Sequence, residues 1–150
     1  MKPVEFFSKC PVPASPCVDD VLQMFLGEQK SRLKPRTYRH YERVVDLLRR
    51  YMNGYAYEGL SKAELGMLDR YSAQEGGEYR SFCQLFGPEW IPKSFGMFHS
   101  WFMVRKVMCG REFKRAARTV TGKLATWLKD RDFAEPGIAR DHPIEHVPVK

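Results

Sequence analysis

The sequence has no uninterrupted hydrophobic run of the about 20 residues that a membrane-spanning helix needs. Its longest apolar stretch, residues 91–109, is broken by a proline, a histidine and three cations. We therefore predict a helix buried on several sides at this place. Residues 1–16 contain no apolar core of the signal-peptide type. From these absences we expect a soluble cytoplasmic chain without a membrane partner.

Cysteine is scarce, and its spacing excludes the paired knuckles of common zinc sites. The four cysteines are Cys10, Cys17, Cys83 and Cys109. In a reducing compartment they are expected to be free thiols, and Cys83 and Cys109 fall within apolar helical patterns. A disulfide between Cys10 and Cys17 is the alternative, which a reducing compartment disfavours.

Recognisable catalytic groupings are absent as well. His142 and His146 are four residues apart, but an intervening proline opposes a regular helix and no third ligand is near. Cys109 and His99 both fall in the segment predicted to be buried, and the glycine pair 76–77 lacks the lysine of a phosphate-binding loop. We expect no metal, no cofactor and no enzymatic activity.

Acidic residues are few where basic residues are many. The net charge is +7, and it is concentrated in two segments. Residues 30–50 contain eight lysines and arginines against two carboxylates, and residues 105–131 contain nine against two. The rest of the chain is acidic on balance. This uneven distribution favours a polyanionic partner.

Apolar residues recur at spacings of three and four along most of the chain, which predicts an all-α bundle of about five to six helices. We assign residues 1–15 to an irregular arm, 16–133 to one helical domain and 134–150 to a tail or linker. Ser15 and Pro16 are expected to start the first helix as cap and first helical residue, and Pro35 to start the second.

Two further helices have clear sequence signals. Ser61 and Glu64 have the spacing of a capping box that starts a helix, and the glycines at 76–77 are expected to end it. The last strong segment, residues 111–132, is predicted as one helix, or as two if Thr119 and Thr121 cap a break.

Two stretches resemble the core-binding (SAM-like) domain of phage integrases and other tyrosine recombinases. The first comprises VDDVLQMFL from Val18 and KPRTYRHY from Lys34. The second is TVTGKLATWLKDRDF from Thr119. Together they cover about residues 18–56 and 111–137, while the region between them is longer and more aromatic than that domain requires.

The resemblance implies a helical module that grips the backbone of duplex DNA, with recombination chemistry supplied by a separate catalytic domain. His40 and Arg43 form a His-x-x-Arg pattern, but they lie on the second helix and lack the partner arginine and the tyrosine nucleophile in the right context. The resemblance therefore implies binding without catalysis.

The basic residues of two helices are the candidate DNA contacts, because arginine, lysine and threonine side chains donate to phosphate oxygens. The candidates are Arg36, Thr37, Arg39, Arg43, Arg50, Arg111, Lys114, Arg115, Arg118 and Lys123. The alternative for each is a solvated helix face. For the whole chain, the alternative is a protein-interaction module that dimerises through the aromatic-rich segment 95–108, which predicts an exposed apolar patch instead of a basic groove.

Aromatic residues at helical spacing are interpreted as core. They are Tyr38, Tyr41, Tyr51, Phe98, Trp101 and Phe102. Base stacking or a small-molecule pocket is the less favoured interpretation of this set.

Overall fold

Helices make up the regular secondary structure of residues 11–72 and 79–133, which are the residues that the computed structural model describes. The α-helices are α1 (Val18–Arg32), α2 (Pro35–Tyr55), α3 (Lys62–Ser72), α4 (Phe82–Leu85), α5 (Trp90–Met97), α6 (Met103–Arg105) and α7 (Arg111–Asp130). A 3-10 turn, Ala56–Gly59, follows α2, and a π turn, Phe98–Phe102, joins α5 to α6. The prediction of an all-α bundle is confirmed.

Helix α1 begins later than the sequence predicts. Its cap is Cys17, whose backbone N–H donates to the Asp20 carboxylate at 3.2 Å. The expected start at Ser15 and Pro16 is wrong, because long-range hydrogen bonds hold this stretch outside the helix. The backbone N–H of Ala14 donates to the Leu85 carbonyl at 2.8 Å, and that of Val18 donates to the Phe86 carbonyl at 2.8 Å. The Ser15–Pro16 peptide bond is cis.

Helix α2 is the centre of the bundle, and it packs against α1, α4, α7 and the π turn. It begins at Pro35, as predicted. Its buried residues are Tyr41, Val44, Val45, Leu47, Leu48, Tyr51 and Met52. Asn53 lies in its last turn, and the side-chain carbonyl of Asn53 accepts a hydrogen bond from the Cys83 backbone at 2.9 Å. This contact places the amino end of α4 beside the carboxyl end of α2.

The predicted capping box of the third helix is confirmed. The Glu64 N–H donates to the Ser61 hydroxyl at 3.2 Å, and the Ser61 N–H donates to the Glu64 carboxylate at 2.8 Å. Met67 is the fully buried residue of α3. The glycines at 76–77 lie outside the described residues.

The segment predicted to be a helix buried on several sides leaves one face exposed. Ile91, Phe98 and Met103 are buried, but Met97 is 50% exposed, Val104 is 52% exposed and Met108 is 96% exposed. The reason is that the π turn packs inward against α2 and α7, which leaves the outer face of this segment without a neighbour among the described residues. None of the helices in the described ranges is both long and apolar enough to cross a membrane.

Helix α7 is continuous, so the alternative of two shorter helices is wrong. Thr121 is buried, and its hydroxyl donates to the Ala117 carbonyl at 3.0 Å inside the same helix instead of capping a break. The helix ends in a Schellman motif, in which the Phe133 N–H donates to the Leu128 carbonyl and the Asp132 N–H donates to the Lys129 carbonyl. The core face of α7 consists of Ala117, Val120, Thr121, Leu124 and Leu128.

Candidate DNA-binding surface

Four arginines form one exposed stripe on α2. Arg36, Arg39, Arg43 and Arg50 are all exposed. At 100° per residue they fall within about 60° of the helix circumference. Thr37 is exposed too, but it lies about 100° away from Arg36 around the helix. The cations that the sequence predicts to act together therefore share a face, and Thr37 lies beside that face.

The carboxyl half of this α2 stripe is partly neutralised. Arg50 forms an ion pair with Asp46 at 3.2 Å. Its neighbour Arg49 contacts Asp19 at 2.8 Å and Asp46 at 3.7 Å, and the Nη2 atom of Arg49 is buried without a hydrogen-bond partner in the described part of the chain. The predicted role of Arg50 is weakened by its ion pair, so the free positive charge of α2 lies in its amino-terminal half.

Three arginines form a second stripe, on the outer face of α7. Arg111, Arg115 and Arg118 are exposed, and helical geometry places them within about 60° of one another. Gly122 continues the line, is exposed, and has open space where a Cβ would lie. Lys114 is half-buried on one flank, and Lys123 is exposed on the other flank. An extended anion could approach the helix closely at Gly122.

The two stripes belong to helices that touch. The Arg43 guanidinium of α2 lies over the ring of Phe113 in α7, with its carbon 4.3 Å from the ring centroid. Helices α2 and α7 also pack against each other through their apolar faces. The structure therefore joins the amino-terminal region of α7 to the cationic half of α2.

Most of the candidate cations have no carboxylate partner among residues 11–72 and 79–133. The cations without such an ion pair are Arg36, Arg39, Arg43, Arg111, Lys114, Arg115, Arg118 and Lys123. Exposed ion pairs stabilise little, so their absence costs the fold little. It does leave these side chains free to contact an external anion.

The amino ends of both helices add to this positive field. The caps of α2 and α7, Lys34 and Gly110, provide no side-chain hydrogen bond to the first turn. The first turn of α2 has no acidic residue, and that of α7 has Glu112 alone. Helices usually place carboxylates at this end, because the macrodipole is positive there. The amino ends of α2 and α7 have arginines instead, so a bound anion would be attracted both by these arginines and by the helix dipoles.

A polar contact that the sequence did not predict lies beside the α7 stripe. His99 of the π turn is 2.8 Å from the Thr121 hydroxyl through its Nε2 atom. Burial lowers the pKa of His99, and the nearby Arg118 lowers it further. His99 is therefore neutral at neutral pH and adds no charge to the basic surface. Nothing in the sequence spacing connects residue 99 with residue 121.

The interpretation of the aromatic residues as core is correct for four of the six. Tyr41, Tyr51, Phe98 and Phe102 are buried, whereas Tyr38 and Trp101 are half-buried. Burial and the nearby Glu42 carboxylate raise the pKa of Tyr38, so its hydroxyl remains protonated.

Nothing in the described ranges points to a metal or to a thiol nucleophile. No group of three or more histidine, cysteine, aspartate or glutamate side chains in these ranges could hold a metal ion. His142 and His146 lie outside the described residues, as does Cys10.

Cys17, Cys83 and Cys109 are free thiols. Cys109 lies between α6 and α7, so its predicted place within a helix is wrong.

Comparison with known proteins leaves the surface to be interpreted from its own chemistry. No family model matches the chain, no curated protein is significantly similar to its sequence, and no solved structure is significantly similar to its fold.

Proposed function

We propose that the chain is a non-catalytic, cytoplasmic module that binds the backbone of duplex DNA through α2 and α7. The observation that carries the proposal is the row of exposed, unpaired arginines on the first two turns of α7, a helix that packs against α2. Arg43 of α2 contacts Phe113 at 4.3 Å, on the side of α7 that faces away from this row.

The chemistry of these residues suits phosphate better than a folded acidic protein. Arginine donates two parallel hydrogen bonds to phosphate oxygens, and the amino ends of the two helices add their dipoles. Apart from the ion-paired Arg50, none of the candidate cations is engaged with a carboxylate in the described parts of the chain. Asparagine and glutamine, the side chains that read adenine, are missing from both stripes. We expect the arginines to contact mainly phosphates, so binding should tolerate many sequences.

The resemblance to the core-binding domain of tyrosine recombinases belongs to the same proposal. The two stretches of sequence that show the resemblance correspond to α1 with the first part of α2, and to the second half of α7. In a recombinase of that kind the module would hold DNA while a separate domain performs the strand exchange.

A titration of a labelled random-sequence duplex tests the proposal. We expect micromolar binding at low salt that weakens steeply as salt is added, because phosphate contacts release counterions. The double variant Arg115→Ala, Arg118→Ala should reduce the slope of log K against log salt by about 2. The matched control is Lys62→Ala with Arg70→Ala, which removes two exposed cations from α3.

The control distinguishes binding at a defined surface from an effect of the net charge of the protein. If both double variants weaken binding equally, the stripe has no special role. If wild-type protein fails to bind duplex DNA even at low salt, the proposed function is wrong.

A second candidate, a protein-interaction or dimerisation module, is favoured by one observation. Met97, Val104 and Met108 expose 50%, 52% and 96% of their surface within or beside the aromatic-rich segment 95–108. Sedimentation of wild type and of the Val104→Ser, Met108→Ser variant tests this candidate. A concentration-dependent dimer in wild type that is lost in the variant would support it.

A further inference from the structure

A cavity of about 560 Å³ opens between the carboxyl end of α2, the 3-10 turn, α5 and the π turn. Its lining comprises Tyr51, Tyr55, Ala56, Glu58, Gly59, Trp90, Lys93, Ser94, Met97 and Trp101. Its volume lies within the roughly 300–1,000 Å³ of small-molecule sites. None of these residues is among the candidate DNA contacts.

The aromatic walls of the cavity are held in fixed orientations. Tyr55 packs edge-to-face against Trp101, with ring centroids 4.9 Å apart. Trp90 packs edge-to-face against Phe82, with ring centroids 5.6 Å apart. The Trp90 ring also lies on the backbone of Gly59, and a Cβ added to Gly59 would come within 3.3 Å of this ring. Because these rings are already ordered, a flat ligand can stack on them without a further loss of side-chain entropy.

Trp101 lies in the π turn and borders the cavity together with Trp90, Ser94 and Met97 of α5. A π turn inserts one extra residue into a helix and changes which side chains face inward, and such turns occur frequently at functional sites. The same turn places His99 on Thr121 and buries Phe98. Trp101 alone among these three side chains borders the cavity.

Two opposite charges line the cavity among these rings. The Lys93 ammonium lies 4.6 Å from the centroid of the Trp90 ring. Burial raises the pKa of Tyr51, and the negative charge of Glu58 raises it further. The lining therefore contains a group that only donates hydrogen bonds and a group that only accepts them.

We propose that this cavity binds an unstacked base of single-stranded DNA, an inference that rests on the proposed DNA-binding function. The base would stack on the aromatic walls, as bases do in single-strand binding proteins. A nucleobase edge has donors and acceptors side by side, so Glu58 accepts from its N–H while Lys93 donates to its carbonyl or ring nitrogen. Lys93 is exposed and flexible, and it can yield the Trp90 face to the base.

A quaternary ammonium ion is the competing ligand, because aromatic walls with a carboxylate also attract cations. Lys93 opposes this alternative, since its ammonium, 4.6 Å from the centroid of the Trp90 ring, repels a second positive charge in the cavity. A base has no net charge and meets no such repulsion.

The experiment compares three kinds of nucleic-acid ligand on the full chain, with choline as the competing cation. The first is a 10-nucleotide single strand, the second is an abasic strand of equal length, and the third is the set of four free deoxynucleosides. We expect the natural strand to bind on the order of tenfold more tightly than the abasic strand, in line with the stacking of one base. Ligand-observed NMR should detect weak binding of the nucleosides, which have no phosphate.

Two sets of variants locate the effect. Trp101→Leu removes a flat wall but keeps apolar volume, and Glu58→Gln with Lys93→Met removes the charged pair from exposed positions without a cost to the core. Each should abolish the preference for the natural strand. The matched control Tyr79→Leu removes an aromatic ring that is 62% exposed and lies outside the cavity lining, and it should leave the preference intact.

The outcomes separate this proposal from the proposed function. Equal binding of natural and abasic strands, with no nucleoside binding, overturns the base site and leaves duplex binding unaffected. Nucleoside binding without binding of any duplex or strand refutes the basic surface and overturns the single-strand site, since the cavity would then take only a free nucleoside. Binding of choline but of no nucleoside overturns the base proposal in favour of a cation site.

Discussion

The guanidinium of Arg43 lies 4.3 Å from the centre of the Phe113 ring, and this contact joins the two basic helices. Phe113 is half-buried, so the contact is partly desolvated. A cation–π pair at such a site contributes about 0.5–1 kcal/mol. It also restricts an arginine whose other donors remain free for phosphate.

A double-mutant cycle measures this coupling. Arg43→Gln and Phe113→Leu are made singly and together, and the free energy of unfolding is obtained from denaturant titrations. We expect the two substitutions to be non-additive by about 0.5–1 kcal/mol. Arg39→Gln with Phe113→Leu is the matched control pair, since Arg39 has no ring contact with Phe113. Additivity in both pairs would show that the contact contributes nothing.

The helix termini explain which parts of the fold the sequence could predict. The capping box of Ser61 and Glu64 was predictable because both partners lie within one turn. The start of α1 was not, because its position depends on hydrogen bonds to carbonyls about 70 residues away, at Leu85 and Phe86. The start of α2 at Pro35 was predictable because proline fits the first helical position.

The candidate surface shows the same division between local and long-range information. Helical spacing predicted that Arg36, Arg39 and Arg43 share a face. It did not predict that Asp46 neutralises Arg50, because an ion pair at this spacing depends on the rotamers of both residues. The cavity was missed for a related reason: the spacing of Trp101 is that of a core residue, and the other walls come from α2 and the 3-10 turn, which are distant in the sequence.

The end of α7 offers a simple test of backbone strain. Asp132 has a φ of 63°, which is the left-handed region that favours glycine. Asp132→Gly should therefore stabilise the protein by about 0.5–1 kcal/mol. Asp130→Gly, two residues earlier within the helix, should destabilise it by a similar amount. Thermal unfolding of the two variants measures both effects, and equal signs would contradict the assigned geometry.

His99 makes stability depend on pH in one direction. Its pKa is lowered in the folded protein from the usual 6.5, first by burial and then by Arg118. Well above pH 6.5 the histidine is neutral in both states, and the shift in pKa has no effect on stability. As the pH falls through this value, the unfolded chain takes up the proton first, so the free energy of unfolding declines. The decline ends once the pH is below the lowered folded pKa.

The variant His99→Gln isolates this effect from that of other groups. Glutamine can still donate to the Thr121 hydroxyl, whose own hydrogen points at the Ala117 carbonyl. We expect the stability of wild type relative to His99→Gln to fall between pH 7.5 and 5, a range that spans the usual histidine pKa. Denaturant unfolding at several pH values measures it, and a constant difference would show that His99 titrates as in the unfolded chain.

The cysteines should differ sharply in reactivity toward a thiol reagent. Cys83 is fully buried, its Sγ atom lies 3.8 Å from the Arg49 carbonyl, and burial raises its pKa strongly. Cys17 is buried as well, and burial raises its pKa too. Cys109 is half-buried in the connection between α6 and α7. Since the thiolate is the reactive form, Cys109 should react first.

A Cys10→Ser background removes the thiol that lies outside the described residues. In this background we expect one thiol to react quickly in the native protein and two more to react at the rate of unfolding. The further substitution Cys109→Ser should abolish the fast phase, whereas Cys83→Ala should leave it unchanged. Fast modification of Cys83 in the native state would show that the contact between α2 and α4 opens readily, and that the hydrogen bond from the Cys83 backbone to Asn53 is not maintained.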